Sequence, residues 1–137
     1  MIQFCKSGLD AMLGDGVDYL FCNQEEAQVW CGTEDLEAVK ASLKKLAKMV
    51  CLTRGPEGCE ILTADAAWSV PADKVKAIDT NGAGDMFAGA FLYGITNGHS
   101  YAESGKLASM ASSRIVSQFG PRLKWHEAKE ILTKLTP

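Results

Sequence analysis

The chain has 137 residues, a formal net charge of −3, and 47% hydrophobic against 23% charged residues, which is enough apolar material for one folded domain and too much for a disordered segment. A sequence pI near 5.4 provides no chain-wide positive field, so neither nucleic acid nor an anionic membrane is an expected partner. No uncharged run is long enough to span a bilayer, the first residues lack the order of a signal peptide, and the five cysteines form no Cys-x-x-Cys pair, which argues for a cytoplasmic protein without a disulfide framework or zinc site.

Residues 2 to 13 pattern as a helix, and Tyr19-Leu20-Phe21-Cys22 as a short strand ending at Asn23, followed by a brief helix from Glu25 to Cys31. Thr33 is the predicted N-cap of a second amphipathic helix whose apolar face is Leu36, Val39, Leu43, Leu46 and Ala47, with Lys44, Lys45 and Lys48 at its negative end. Met49 to Thr53 reads as a buried strand running into the turn Arg54-Gly55-Pro56-Glu57-Gly58, and Cys59 to Thr63 with Ala67 to Val70 as a hairpin. Lys74 to Ile78 reads as a last short strand, and helices follow over about Ala83 to Thr96, Ser100 to Gln118 and Trp125 to Leu135. Gly89 and Gly94 weaken the first of these by roughly 1 kcal/mol each, which marks close approach of another group. The order predicts an α/β layer fold with about five strands including one hairpin. Several helical faces then need cover, and the first element starts abruptly at Met1, so the chain is expected to be part of a larger sheet.

The densest chemistry lies in Asp79-Thr80-Asn81-Gly82-Ala83-Gly84-Asp85, a glycine turn entering a helix with a carboxylate in its first turn. First-turn amides lack partners inside a helix and, with the positive end of the dipole, suit an anion. Gly84 and Gly89 have P-loop spacing, but Ala90 and Phe91 follow where lysine and a hydroxyl residue are needed, and Phe87 is too bulky to complete a dinucleotide fingerprint. His99 and His126 stand in no ligand spacing and receive no chemistry.

Three motifs in order, Asn23-Gln24-Glu25-Glu26, Thr53-Arg54-Gly55-Pro56-Glu57-Gly58 and Asp79 to Asp85, resemble those of the ribokinase-like (phosphofructokinase B type) sugar and nucleoside kinases, over about Val17 to Leu135. The likeness is to the C-terminal half of such a kinase. The form with Asn81, together with Phe119-Gly120-Pro121-Arg122, looks most like the adenosine kinase branch. The implied fold is a partial three-layer sheet with helices, residues 1–137 forming the nucleotide-binding and catalytic-base portion, without the N-terminal half and β lid that hold the acceptor.

The resemblance implies transfer of the ATP γ-phosphate to a primary hydroxyl of a purine nucleoside, or of a ribose- or fructose-type sugar. Asp85 is then the base, and the Gly82, Ala83 and Gly84 amides receive the transferred group. Asn23 and Glu26 act on magnesium through water. Thr53, Gly55 and Gly58 line the nucleotide, Arg54 is a further candidate for its phosphates, and the adenine lies against the start of the later helix at about Ser109 to Ser113. Asp79 and the Asn81 carbonyl, with carbonyls near Gly120, match a monovalent cation (K+) site found in some members. The residues alone leave local alternatives open: a cap for Asn23 with Glu26, a plain β-turn for Thr53 to Gly58, and dipole stabilisation for Asp85. Expected partners are ATP and a small nucleoside or sugar, with a homodimer as the candidate assembly. A nucleotide-binding module without catalysis is the alternative, against which the carboxylate beside the phosphate turn argues.

Overall fold

The computed structural model describes residues 2–135, with side chains from Lys6 onward, so the side chain of Cys5 lies outside it. Among the described residues six α helices, α1 (Ile2–Leu13), α2 (Gln24–Cys31), α3 (Leu36–Leu43), α4 (Ala83–Thr96), α5 (Tyr101–Val116) and α6 (Trp125–Thr133), accompany four strands, β1 (Val17–Asn23), β2 (Ala47–Thr53), β3 (Cys59–Thr63) and β4 (Ala67–Val70), in a sheet of order β1-β2-β3-β4. The predicted hairpin strands are found at their predicted limits.

The chain divides into two compact units, 1–54 with 60–67, and 55–59 with 68–137. In the first, β1 and β2 run parallel in a register from Val17 against Ala47 to Asn23 against Thr53. Strands of a covered parallel pair read as continuous apolar runs, and β2 does so, with Met49 to Leu52 buried. Val50 and Leu52 join Ala27, Val39, Leu43 and Leu62 in this unit's core. Between the strands, α2 ends at Gly32, whose φ of 67° is the left-handed conformation that lets its amide donate to the Gln28 carbonyl.

The second amphipathic helix departs from expectation at both ends. Its N-cap is Asp35, whose Oδ1 accepts from the Glu37 and Ala38 amides, while the Thr33 hydroxyl oxygen accepts from the Asp35 amide one step earlier. The helix stops at Leu43 because the Lys45 and Leu46 amides turn back onto the Ser42 and Leu43 carbonyls. Leu46 and Ala47 therefore leave the helical face, and Lys48, on β2, pairs with Asp18 at 2.7 Å.

In the second unit, Leu107, Ala111 and Ile131 form a core between α5 and α6. Ser100 caps α5 with Glu103 in a reciprocal box. Gly94 of α4 faces Ser104 so closely that a Cβ there would lie 2.8 Å from the Ser104 Cβ, whereas one at Gly89 would meet nothing within 4 Å; of the two glycines only Gly94 marks a close approach. The predicted strand Lys74 to Ile78 is not formed. The Ile78 and Asp79 amides donate to the Val116 carbonyl at the end of α5, so this segment bonds to a helix terminus instead of a ladder, and Val75 and Ile78 remain exposed. The sheet thus has four strands where about five were expected.

Candidate active site

In the first unit, the register places Asn23 and Thr53 side by side at the carboxyl ends of β1 and β2, the edge at which parallel α/β sheets bind ligands. Asn23 Oδ1 accepts from the Glu26 amide at 2.8 Å and the Asn23 amide donates to Glu26 Oε2 at 3.1 Å. The capping role open in the sequence is therefore realised, and it fixes both side chains at that edge. The Thr53 hydroxyl donates to the Cys22 carbonyl at 3.4 Å. Arg54 leaves β2 with Nε donating to Gln24 Oε1 at 3.0 Å and Nη1 to Glu60 Oε1 at 3.3 Å, and Lys40 holds the other Glu60 oxygen at 2.6 Å. The guanidinium is thus built into a network joining α2, α3 and β3. Sequence reasoning had no signal for Glu60, which lies in an otherwise ordinary hairpin strand.

In the second unit, Gly55 and Gly58 bracket a single 3-10 turn, both with positive φ. Their environments differ. A Cβ at Gly58 would collide with the Val70 carbonyl and the chain beyond it, so packing demands that glycine, while Gly55 has open space around it. Ser109 lies in the middle of α5, not near a helix start as expected. Its buried hydroxyl donates to the Pro71 carbonyl at 3.1 Å, an interaction that ties α5 to the chain leaving β4.

The turn itself begins α4 at Gly82, φ +76°, with no side-chain cap. The Ala83 amide donates to the Thr80 carbonyl at 3.3 Å and the Met86 amide to the Gly82 carbonyl, whereas the Gly84 and Asp85 amides have no backbone partner outside the helix among the described residues. The two glycines differ in kind. A Cβ on Gly82 would lie 2.6 Å from the Pro121 Cβ, while one on Gly84 would meet nothing within 4 Å. Gly84 and Asp85 are both exposed, so the open amides and the carboxylate share an accessible first turn. That donor set fits an anion. Of the three amides expected to face an anion, that of Ala83 is engaged by the Thr80 carbonyl.

Asp79 Oδ1 accepts from the Asn81 amide at 3.0 Å and Oδ2 from the Gly120 amide at 3.2 Å. These two amides hold its carboxyl below the usual range, Asn81 contributing most. Behind the turn, the Ser112 hydroxyl donates to the Ala83 carbonyl at 3.2 Å. Ser112 carried no signal in the sequence because its partner lies 29 positions away. No cluster of three or more His, Cys, Asp or Glu suited to a metal occurs among the described residues, and no described helix is long and apolar enough to cross a membrane.

With its motifs at a carboxyl strand edge and at an uncapped glycine turn, the chain belongs to the pfkB family of carbohydrate kinases, whose family model matches residues 2–128. Its relatives are kinases of both sugars and nucleosides. The ribokinase of Lactococcus lactis subsp. lactis (strain IL1403) is 34% identical over 126 residues, 92% of this chain and 41% of that protein. The crystal structure of adenosine kinase from Sinorhizobium meliloti superposes with a TM-score of 0.91 at 30% identity, over 97% of this chain and 41% of that one. A putative ribokinase II from E. coli, in complex with ATP and Mg2+, superposes with a TM-score of 0.83 over 97% of this chain and 44% of that one; at 21% identity it shows the fold alone. The chain spans only about two fifths of the length of these proteins.

Proposed function

We propose that residues 1–137 are the nucleotide-binding and catalytic-base portion of an ATP-dependent kinase that phosphorylates a primary hydroxyl of a purine nucleoside. The observation that carries this reading is the uncapped Gly82 turn, where the Gly84 and Asp85 amides lack backbone partners among the described residues, beside the exposed Asp85 carboxylate. Asp85 takes the hydroxyl proton while the acceptor oxygen bonds to the γ-phosphorus and the bond to the β-phosphate oxygen breaks, releasing ADP. The open amides receive charge on the moving phosphoryl group, and one such donor is worth about 3 kcal/mol in comparable sites. The positive end of α4 also offsets repulsion between the anionic base and its substrate.

Asn23 and Glu26, fixed by their mutual cap, would hold magnesium through water, and the ion would supply neutralisation of phosphate charge. Thr53, Gly55 and Gly58 line the nucleotide in this reading. Asp79 with the Asn81 carbonyl is the candidate position for a monovalent cation. A cytoplasmic kinase acting on a small molecule, alone or as a homodimer, is the corresponding setting. Sequence supports a second acceptor class, because the ribokinase relative is as similar as the adenosine kinase.

The test is Asp85→Asn in the protein as encoded by its gene, assayed with ATP and adenosine, ribose or fructose. Phosphoryl transfer should fall at least about a hundredfold with little change in ATP affinity. Unchanged turnover rejects Asp85 as the base, and absence of ATP binding rejects the kinase reading.

A further inference from the structure

We infer that Asp79 is a positioning residue whose carboxylate, with Pro121, clamps the Gly82 turn to the segment after α5 and so aims the turn's open amides. The inference rests on the reading of that turn as the phosphoryl site. Inside the loop the Ala83 amide donates to the Thr80 carbonyl and the Asn81 amide to Asp79 Oδ1, but Gly82 is a left-handed glycine without a side-chain cap, and these short-range bonds alone do not fix the loop against the rest of its unit. The restraint comes from 41 positions away, where the Gly120 amide donates to Asp79 Oδ2 while Asp79 Oδ1 takes the Asn81 amide inside the loop. Two hydrogen bonds to one ionised carboxylate are of the stronger, charge-assisted kind. Pro121 then packs on Gly82 with no room for a Cβ between them. The Val116 carbonyl, accepting from the Ile78 and Asp79 amides, holds the approach to the turn from the end of α5. Each carboxylate oxygen thus accepts one amide, and the two bonds tie the loop to the segment after α5.

The test compares Asp79→Asn and Pro121→Ala with wild type in the protein as encoded. Turnover is measured with ATP and adenosine or ribose in potassium, sodium and choline buffers, alongside melting temperature and amide hydrogen exchange at Asn81 and Gly120. Asp79→Asn should lower kcat about tenfold or more, with KM for ATP changed less than about threefold, because amides aimed at the transferring group act mainly in the transition state. The loss should be equal in all three salts, exchange should quicken at one or both amides, and Pro121→Ala should lower kcat in the same direction. A loss confined to potassium buffer makes Asp79 a cation ligand and overturns the inference, as does unchanged kcat despite faster exchange. Should wild type show no turnover, the kinase reading fails, and the clamp stands or falls on whether Asp79→Asn speeds exchange at these two amides.

Discussion

Two glycines two positions apart in the signature turn do different jobs, and substitution separates them. At Gly82 an added methyl would meet Pro121 at 2.6 Å in a backbone with φ +76°. Gly82→Ala should therefore cost about 2 kcal/mol or more in chemical denaturation, from strained backbone and overpacking together. At Gly84 an added methyl meets nothing within 4 Å and the residue is helical. Gly84→Ala should hold or raise stability by up to about 1 kcal/mol, yet reduce turnover by crowding the amides. A Gly84→Ala protein with full activity would show that no ligand uses the space beside this glycine. Cys22 illustrates the opposite of a reactive site. Burial, reinforced by Glu26 and then Cys31, pushes its thiol up to about 12, so it stays protonated at neutral pH. Iodoacetamide at pH 7.5 should leave Cys22 unlabelled in the folded protein and label it in urea, as read by mass spectrometry.

Among the elements, the seam between α4 and α5 depends on small residues. Gly94 lets the helices approach closely, and among the described residues the buried Ser104 hydroxyl at this seam has no hydrogen-bond partner. Gly94→Ala should destabilise by about 1 to 3 kcal/mol through overpacking. Ser104→Ala, which removes an unsatisfied buried group, should be neutral or stabilising by about 1 kcal/mol. Thermal melts of both variants decide the point, and a strongly destabilised Ser104→Ala would reveal a role for that hydroxyl. At α2 the cap and the proposed magnesium-side pair are the same two residues. Asn23→Ala should cost about 1 kcal/mol from the lost box, and any additional loss of nucleotide affinity beyond that shared by other cap variants measures its second role.

For the whole molecule, three carboxyls with lowered values make folding sensitive to acid. Asp79, held down by the Asn81 and Gly120 amides, Glu103, held down by the Ser100 hydroxyl and amide, and Glu127, held down chiefly by the Lys124 amide, all have depressed values in the folded state. A depressed carboxyl binds its proton more readily in the unfolded chain. Its contribution is therefore fully present above the ordinary values of 4.5 for Glu and 3.8 for Asp and is lost as pH falls below them. Urea midpoints should be flat from neutrality to about pH 5 and fall steeply below it. An Asp79→Asn, Glu103→Gln double variant should show a shallower fall, and an unchanged slope would place the acid sensitivity elsewhere.

What the sequence by itself determined is what lies within a few residues of its cause. The apolar runs of β1 to β4, the box from Asn23 to Glu26, the Ser100 start of α5 and the glycine entry to α4 all follow from side chains that act on their own neighbouring backbone. The tertiary structure decided everything whose partner is distant. Lys74 to Ile78 has the composition of a strand, but its end bonds to the terminus of α5. Ser109 gives no sign in the sequence that its hydroxyl bonds to the Pro71 carbonyl, 38 positions away. Gly55 and Gly58 look equivalent in a turn motif, but the chain from Val70 to Ala72 packs so closely on Gly58 that it alone of the two has no room for a side chain. Local propensity and capping act through the chain's own short-range geometry, whereas the demands of packing and of unpaired backbone groups are met by whichever segment the fold brings close.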